Sequence, residues 1–180
     1  LDESHPIMNT PRSLVLTVLV LTASTAALAA GPRRVVAVPA PTTLGTQAMA
    51  FAIEEERVAQ DLYQLASEQW GLAVFANIRR SETQHVAALA QLAARFRLPV
   101  PAASRGVYQT ADLQALYTQL AALVAVSPES ALSVGALVEE TDIVDLRETM
   151  ATVTDPTTLG VLRRLEAASW NQMDRSEERR

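Results

Sequence analysis

From about residue 44 onward, apolar residues recur at spacings of three and four, the period of an α-helix that buries one stripe. Four long segments carry this period: roughly Gln47 to Gln69, Asn77 to Phe96, Ser130 to Val153 and Thr157 to Arg175, the last announced by Asp155-Pro156. A shorter helix, "ADLQALYTQLAALVA", is expected between the second and third. Alternation of β-branched with polar residues, the signal of a strand, is almost absent, so the pattern predicts an all-α chain. The short links "WGLAVFA" and "TDPT" predict antiparallel hairpins. The long stretch from Leu98 to Glu129 predicts one crossover between them. The expected architecture is an antiparallel four-helix bundle with one long crossover carrying the extra short helix.

Charged residues interrupt the apolar stripes. In the first helix Ala48, Phe51, Val58, Ala59, Leu62 and Ala66 define the stripe, with Glu55 at its middle. Glu56, turned about 100° away by the helical geometry, flanks the stripe on the side of Ala52, Ala59 and Tyr63 and is a second candidate. The second helix sets Glu82 and His85 in line with Ile78, Leu89, Leu92 and Phe96, one turn apart, so that their side chains converge. The third carries Leu132, Ala136, Glu139, Ile143, Leu146 and Met150, with Asp142 beside Glu139. An unpartnered buried carboxylate costs several kcal/mol against a total stability of about 5–15 kcal/mol, so three helices of inward acids require neutralisation. One solution is a metal ion held by Glu55, Glu56, Glu82, His85, Glu139 and Asp142, a donor set of oxygen with one imidazole that suits iron or manganese. The other is pairing with arginines such as Arg57 or Arg147.

Composition narrows the choice. With 49% hydrophobic residues in 180, the chain can bury a single core of ordinary size. Twenty acids against fifteen bases, every base an arginine, give a net charge of −5 and speak against nucleic acid as a partner. The absence of cysteine removes thiolate metal sites, disulfides and cysteine nucleophiles. At the N-terminus, Met8, Arg12, an apolar run from Leu14 and the small residues Ala27-Leu28-Ala29 form the pattern of a secretory signal peptide. The expected organisation is a leader with its upstream residues over 1–30, a Pro-rich tether over 31–43, the helical domain over 44–175 and a charged tail over 176–180. The expected location is periplasmic or secreted, with no stable membrane insertion after cleavage.

The stretches "FAIEEERVAQDLYQLASEQWGLAVFANIRRSETQH", "GVYQTADLQALYTQL" and "VGALVEETDIVDL" resemble an uncharacterised prokaryotic domain family assigned to the ferritin-like superfamily. The resemblance runs from about Ala48 to Gln172 and implies the four-helix fold with a metal centre, but no particular reaction. It also implies a histidine in the last helix. This chain has Gln172 at that place and Ser169 one turn before it, so a second Glu-x-x-His is missing, and Glu166 is the nearest substitute. One ion is therefore expected rather than two. The function expected is an exported ferritin-like metal protein, for metal handling or for defence against peroxide or oxygen, with a ferroxidase-like oxidoreductase activity left open and a homodimer as an open assembly state. A metal-free bundle acting as an envelope interaction or stress module is the alternative. Ser81, four residues before His85, raises a hydrolase reading that lacks a nucleophile elbow and oxyanion donors. Tyr63 is the tyrosine placed for a redox role, against the ordinary role of a packed phenol.

Overall fold

A computed structural model describes residues 43–178, which form five helices and no strand. The leader expected over 1–30, the tether up to residue 42 and the last two residues of the tail lie outside the described residues. The helices are α1 (Thr46–Trp70), α2 (Ala73–Arg95), α3 (Ala111–Val124), α4 (Pro128–Thr152) and α5 (Pro156–Glu177). Among the described residues no helix is long and apolar enough to cross a membrane.

Local chemistry fixes the helix ends. Gly71 closes α1 in the left-handed conformation, φ 65°, with its N–H bonded to Ser67 O, a conformation glycine adopts without strain. The link to α2 is then Gly71-Leu72 alone, so α2 starts four residues before the expected Asn77. Helices α4 and α5 begin with one device. Ser127 and Asp155 accept from the backbone N–H of Ser130 and Thr158, and Pro128 and Pro156 follow in the first helical position, where a missing N–H costs nothing.

Helix α1 packs along α2 and α4 along α5; α1 also meets α4, α2 meets α5, and α3 lies against α1 and α4. The outer side of α1 holds the crossover by its backbone. Glu54 accepts from Gln109 N (2.6 Å), Thr110 N (2.9 Å) and Thr110 Oγ1 (2.6 Å). Arg57 donates to Pro101 O (2.9 Å), and Asp61 accepts from Gly106 N (2.8 Å) and Tyr108 Oη (2.7 Å).

The interior divides into two apolar clusters. One gathers Val58, Leu62 and Tyr63 of α1 with Phe75 and Ile78 of α2 and Leu132 and Val134 of α4; the other gathers Met49 and Ile53, Leu89 and Leu92, Leu146, and Leu162 and Leu165. Between them every long helix contributes polar side chains to the buried face: Glu56, Glu82 with His85, Glu139 with Asp142, and Ser169 with Gln172. Hydrophobic burial holds the two ends, and the polar layer lies where apolar residues would otherwise continue.

Candidate metal centre

The polar layer has a tight centre. Glu82 and His85, three residues apart on α2, both face inward, and Glu56 of α1 meets them there. His85 Nδ1 lies 3.1 Å from Glu56 Oε2 and 3.1 Å from Glu82 Oε2. One ligand atom from each of the three residues falls within 4.8 Å of the others, the one such group among the described residues. The remaining oxygens, Glu56 Oε1 and Glu82 Oε1, are buried without a hydrogen-bond partner, as is Glu139 Oε1 nearby.

Electrostatics show how costly this arrangement is for protein alone. Burial pushes the Glu56 carboxyl up, His85 pulls it back and Glu82 adds repulsion, leaving it at about 8. Burial disfavours the His85 imidazolium, but the carboxylates of Glu56 and Glu82 outweigh it and raise His85 to about 11. Glu139 and Asp142 are pushed well above the ordinary carboxylate range, first by burial and then by neighbouring acids, among them Glu82 for Glu139 and Glu56 for Asp142. The proton on His85 Nδ1 thus occupies the place between two carboxylates where a cation's charge would sit. Protein and cation compete for these oxygens.

Arginine does not answer the demand. Arg57 is spent on the crossover carbonyls, and Arg147 pairs with Glu166 at 2.5 Å. That pair also engages the glutamate considered as a substitute ligand on α5. Two carboxylates, one imidazole and three orphaned oxygens fit a hard or borderline divalent ion.

The structure sorts the sequence candidates. It brings Glu56, Glu82 and His85 together. Glu139 and Asp142 are buried in the same layer outside that group. The α1 register is corrected: Glu56, not Glu55, faces the centre. Glu55 is half-buried, and burial together with Asp142 and Asp145 raises its carboxyl. The stripe of Ala48, Phe51 and Val58 pointed to Glu55, but Ala48 and Phe51 are half-buried, while Met49, Ile53 and Tyr63, which share a face with Glu56, are fully buried. Tyr63 is buried with its hydroxyl beside Glu139 and Ser176, in space left by Gly135, where a Cβ would come within 2.8 Å of that hydroxyl.

On α5, Gln172 and Ser169 do face the layer, as their spacing predicts. Ser169 Oγ donates to Asp142 Oδ2 (2.6 Å), and Gln172 Nε2 donates to Ser81 Oγ (3.0 Å), which lies 3.3 Å from His85 Nε2. Sequence reasoning missed Glu54 and Asp61, whose partners are crossover backbone groups that follow no side-chain pattern. The Ser81–His85 contact was legible as an i, i+4 pair.

An uncharacterized protein domain family, DUF2202, matches residues 45–179. The uncharacterized protein MJ0754 of Methanocaldococcus jannaschii is 36% identical over 97 residues, which cover 53% of this chain and 52% of that protein, so the match spans about half the length of the relative. The crystal structure of hypothetical protein MJ0754 from Methanococcus jannaschii is similar to this fold with a TM-score of 0.70 at 29% identity, covering 78% of this chain and 82% of the other. The chain belongs to the DUF2202 domain family.

Proposed function

We propose that this DUF2202 protein is a ferritin-like four-helix bundle that binds one iron or manganese ion through Glu56, Glu82 and His85, with Glu139 and Asp142 as flanking acids. The observation that carries the reading is the group itself: two buried carboxylates converge on one imidazole, their outer oxygens have no partner, and the arginines in reach are engaged elsewhere. When bound, such an ion supplies positive charge to the acid layer and a redox couple able to meet oxygen or peroxide. Glu56 and Glu82 supply anionic oxygen donors, and His85 gives up a proton on exchanging its carboxylate contacts for the ion. The two apolar clusters on either side exclude water and keep the donors fixed.

The same reading places the protein outside the cytoplasm, on the leader pattern of residues 8–29, with residues 44–175 as the functional domain. A metal-free interaction module is the second reading, favoured by the neutral side chains of Ser169 and Gln172 where a second ligand pair would stand. Titration of metal-stripped protein with Mn²⁺, followed by electron paramagnetic resonance, separates the two. Uptake of one ion per chain, abolished in Glu82→Ala and His85→Ala with helicity kept, is the expected result. Wild-type occupancy in both variants would defeat the assignment.

A further inference from the structure

Helix α5 supplies no ligand to the centre, yet two of its fully buried side chains reach across the layer to groups that could be ligands. Ser169 Oγ holds Asp142 Oδ2 at 2.6 Å. Gln172, only 1% exposed, donates through Nε2 to Ser81 Oγ at 3.0 Å, and Ser81 stands on α2 one turn before His85, its hydroxyl 3.3 Å from Nε2. A chain of hydrogen bonds therefore runs from α5 through Ser81 to the face of the imidazole opposite the carboxylates.

Its chemistry turns on the serine. The hydroxyl of Ser81 has two lone pairs and one proton. The Gln172 amide takes one of these positions, and Ser81 keeps a lone pair for the N–H of the imidazole. If the amide were turned so that its oxygen faced Ser81, the serine would donate its own proton to Gln172 and would still accept from His85. With the amide donating, the serine also keeps its own proton, so the direction of its bond to Nε2 follows the ring: once Nδ1 gives up its proton and offers its lone pair to a cation between Glu56 and Glu82, the neutral imidazole carries its proton on Nε2 and Ser81 accepts it. We infer that Ser81 and Gln172 form a relay that holds the Nε2 edge of His85 and fixes the orientation of the ring, so that Gln172 is a positioning residue of the centre and not the vacancy left by a lost ligand. The inference deepens the proposed metal reading and rests on it for its purpose, but the relay itself can be read without metal.

The test uses the full chain carrying ¹⁵N-labelled histidine, first stripped of metal and then titrated with Zn²⁺. In the stripped wild type, His85 Nε2–H should give a slowly exchanging proton signal. Both Ser81→Ala, a change at a half-exposed helical position, and Gln172→Met, which keeps the buried volume, should make that proton exchange faster. On zinc addition, affinity should fall about 10–100-fold in each variant with the stoichiometry unchanged, the usual effect of removing an outer hydrogen bond from a metal-bound histidine. Nε2–H protection and zinc affinity left at wild-type values in Gln172→Met overturn the inference, even if Ser81→Ala changes both. If the wild type takes up no zinc, the metal reading fails, and the exchange rates of Nε2–H still decide whether the relay exists.

Discussion

Glu54 and Glu56 stand two residues apart on α1 and are equally buried, at 2% and 3% exposure, yet they have opposite chemistry. Burial raises the Glu54 carboxyl, but Thr110 Oγ1 and the backbone N–H groups of Gln109 and Thr110, with Arg57 nearby, outweigh it and hold it below its ordinary value. Glu56 meets one imidazole and a second carboxylate, keeps one oxygen unpartnered and is raised to about 8. Solvent exposure is the same for both, but Glu56 lies deeper in the bundle and has fewer donors. A buried acid with a full set of donors is a structural clasp, and one without them is poised to take up a cation or a proton.

The comparison can be broken by substitution, and the largest effect should fall on the clasp. Glu54→Ala leaves two part-buried N–H groups and a hydroxyl without their charged acceptor and should cost about 3 kcal/mol in denaturant unfolding, with metal binding per folded chain unchanged. The reverse profile is expected of Glu56→Gln. The amide keeps the shape and the neutrality of the protonated carboxyl, so metal-free stability near neutral pH should move by no more than about 1 kcal/mol. Metal affinity, in contrast, should fall by about 100-fold or more, exceeding the loss typical of an outer-sphere change. Similar stability losses in the two variants would erase the distinction.

A pH series sharpens it. Glu56 is raised from 4.5 to about 8, so its protonated form favours the folded state; that stability is full below 4.5 and is lost as pH rises through about 8. His85, raised from 6.5 to about 11, acts in the same sense at higher pH. Glu54, lowered, contributes stability above 4.5 that is lost on acidification through its folded pKa. Thermal unfolding of metal-stripped protein should therefore show a midpoint that falls from pH 5 to pH 9, less steeply in Glu56→Gln. A midpoint that rises across this window would contradict the charge assignment. The smallest effect is steric: Gly135→Ala brings a Cβ within 2.8 Å of Tyr63 Oη and 3.2 Å of Ser176 Oγ. Its gain in helix propensity of about 1 kcal/mol should be overtaken by crowding, for a net loss of about 1 kcal/mol in chemical unfolding.

The helical period made the number and order of the five helices legible, and Asp155-Pro156 marked the start of α5 because cap and proline act locally. The start of α2 was misplaced since Leu72 offers no side-chain cap and only Gly71 marks the break. Glu82 and His85 were legible because α2 carries a single narrow stripe. On α1 the stripe is wide: the helix packs against α2, α3 and α4, so several registers look apolar and three successive glutamates point in three directions. Only the packing partners select Glu56 for the centre and Glu54 for the crossover. Those partners lie far along the chain, and no spacing within α1 encodes them.

The claim that the unpartnered layer is a metal centre is tested most directly by elemental analysis of the protein isolated from its own cells without chelator, beside Glu56→Gln prepared in the same way. The account predicts close to one iron or manganese per chain in the wild type and close to none in the variant. No metal in the wild type, or equal metal in both, would contradict it.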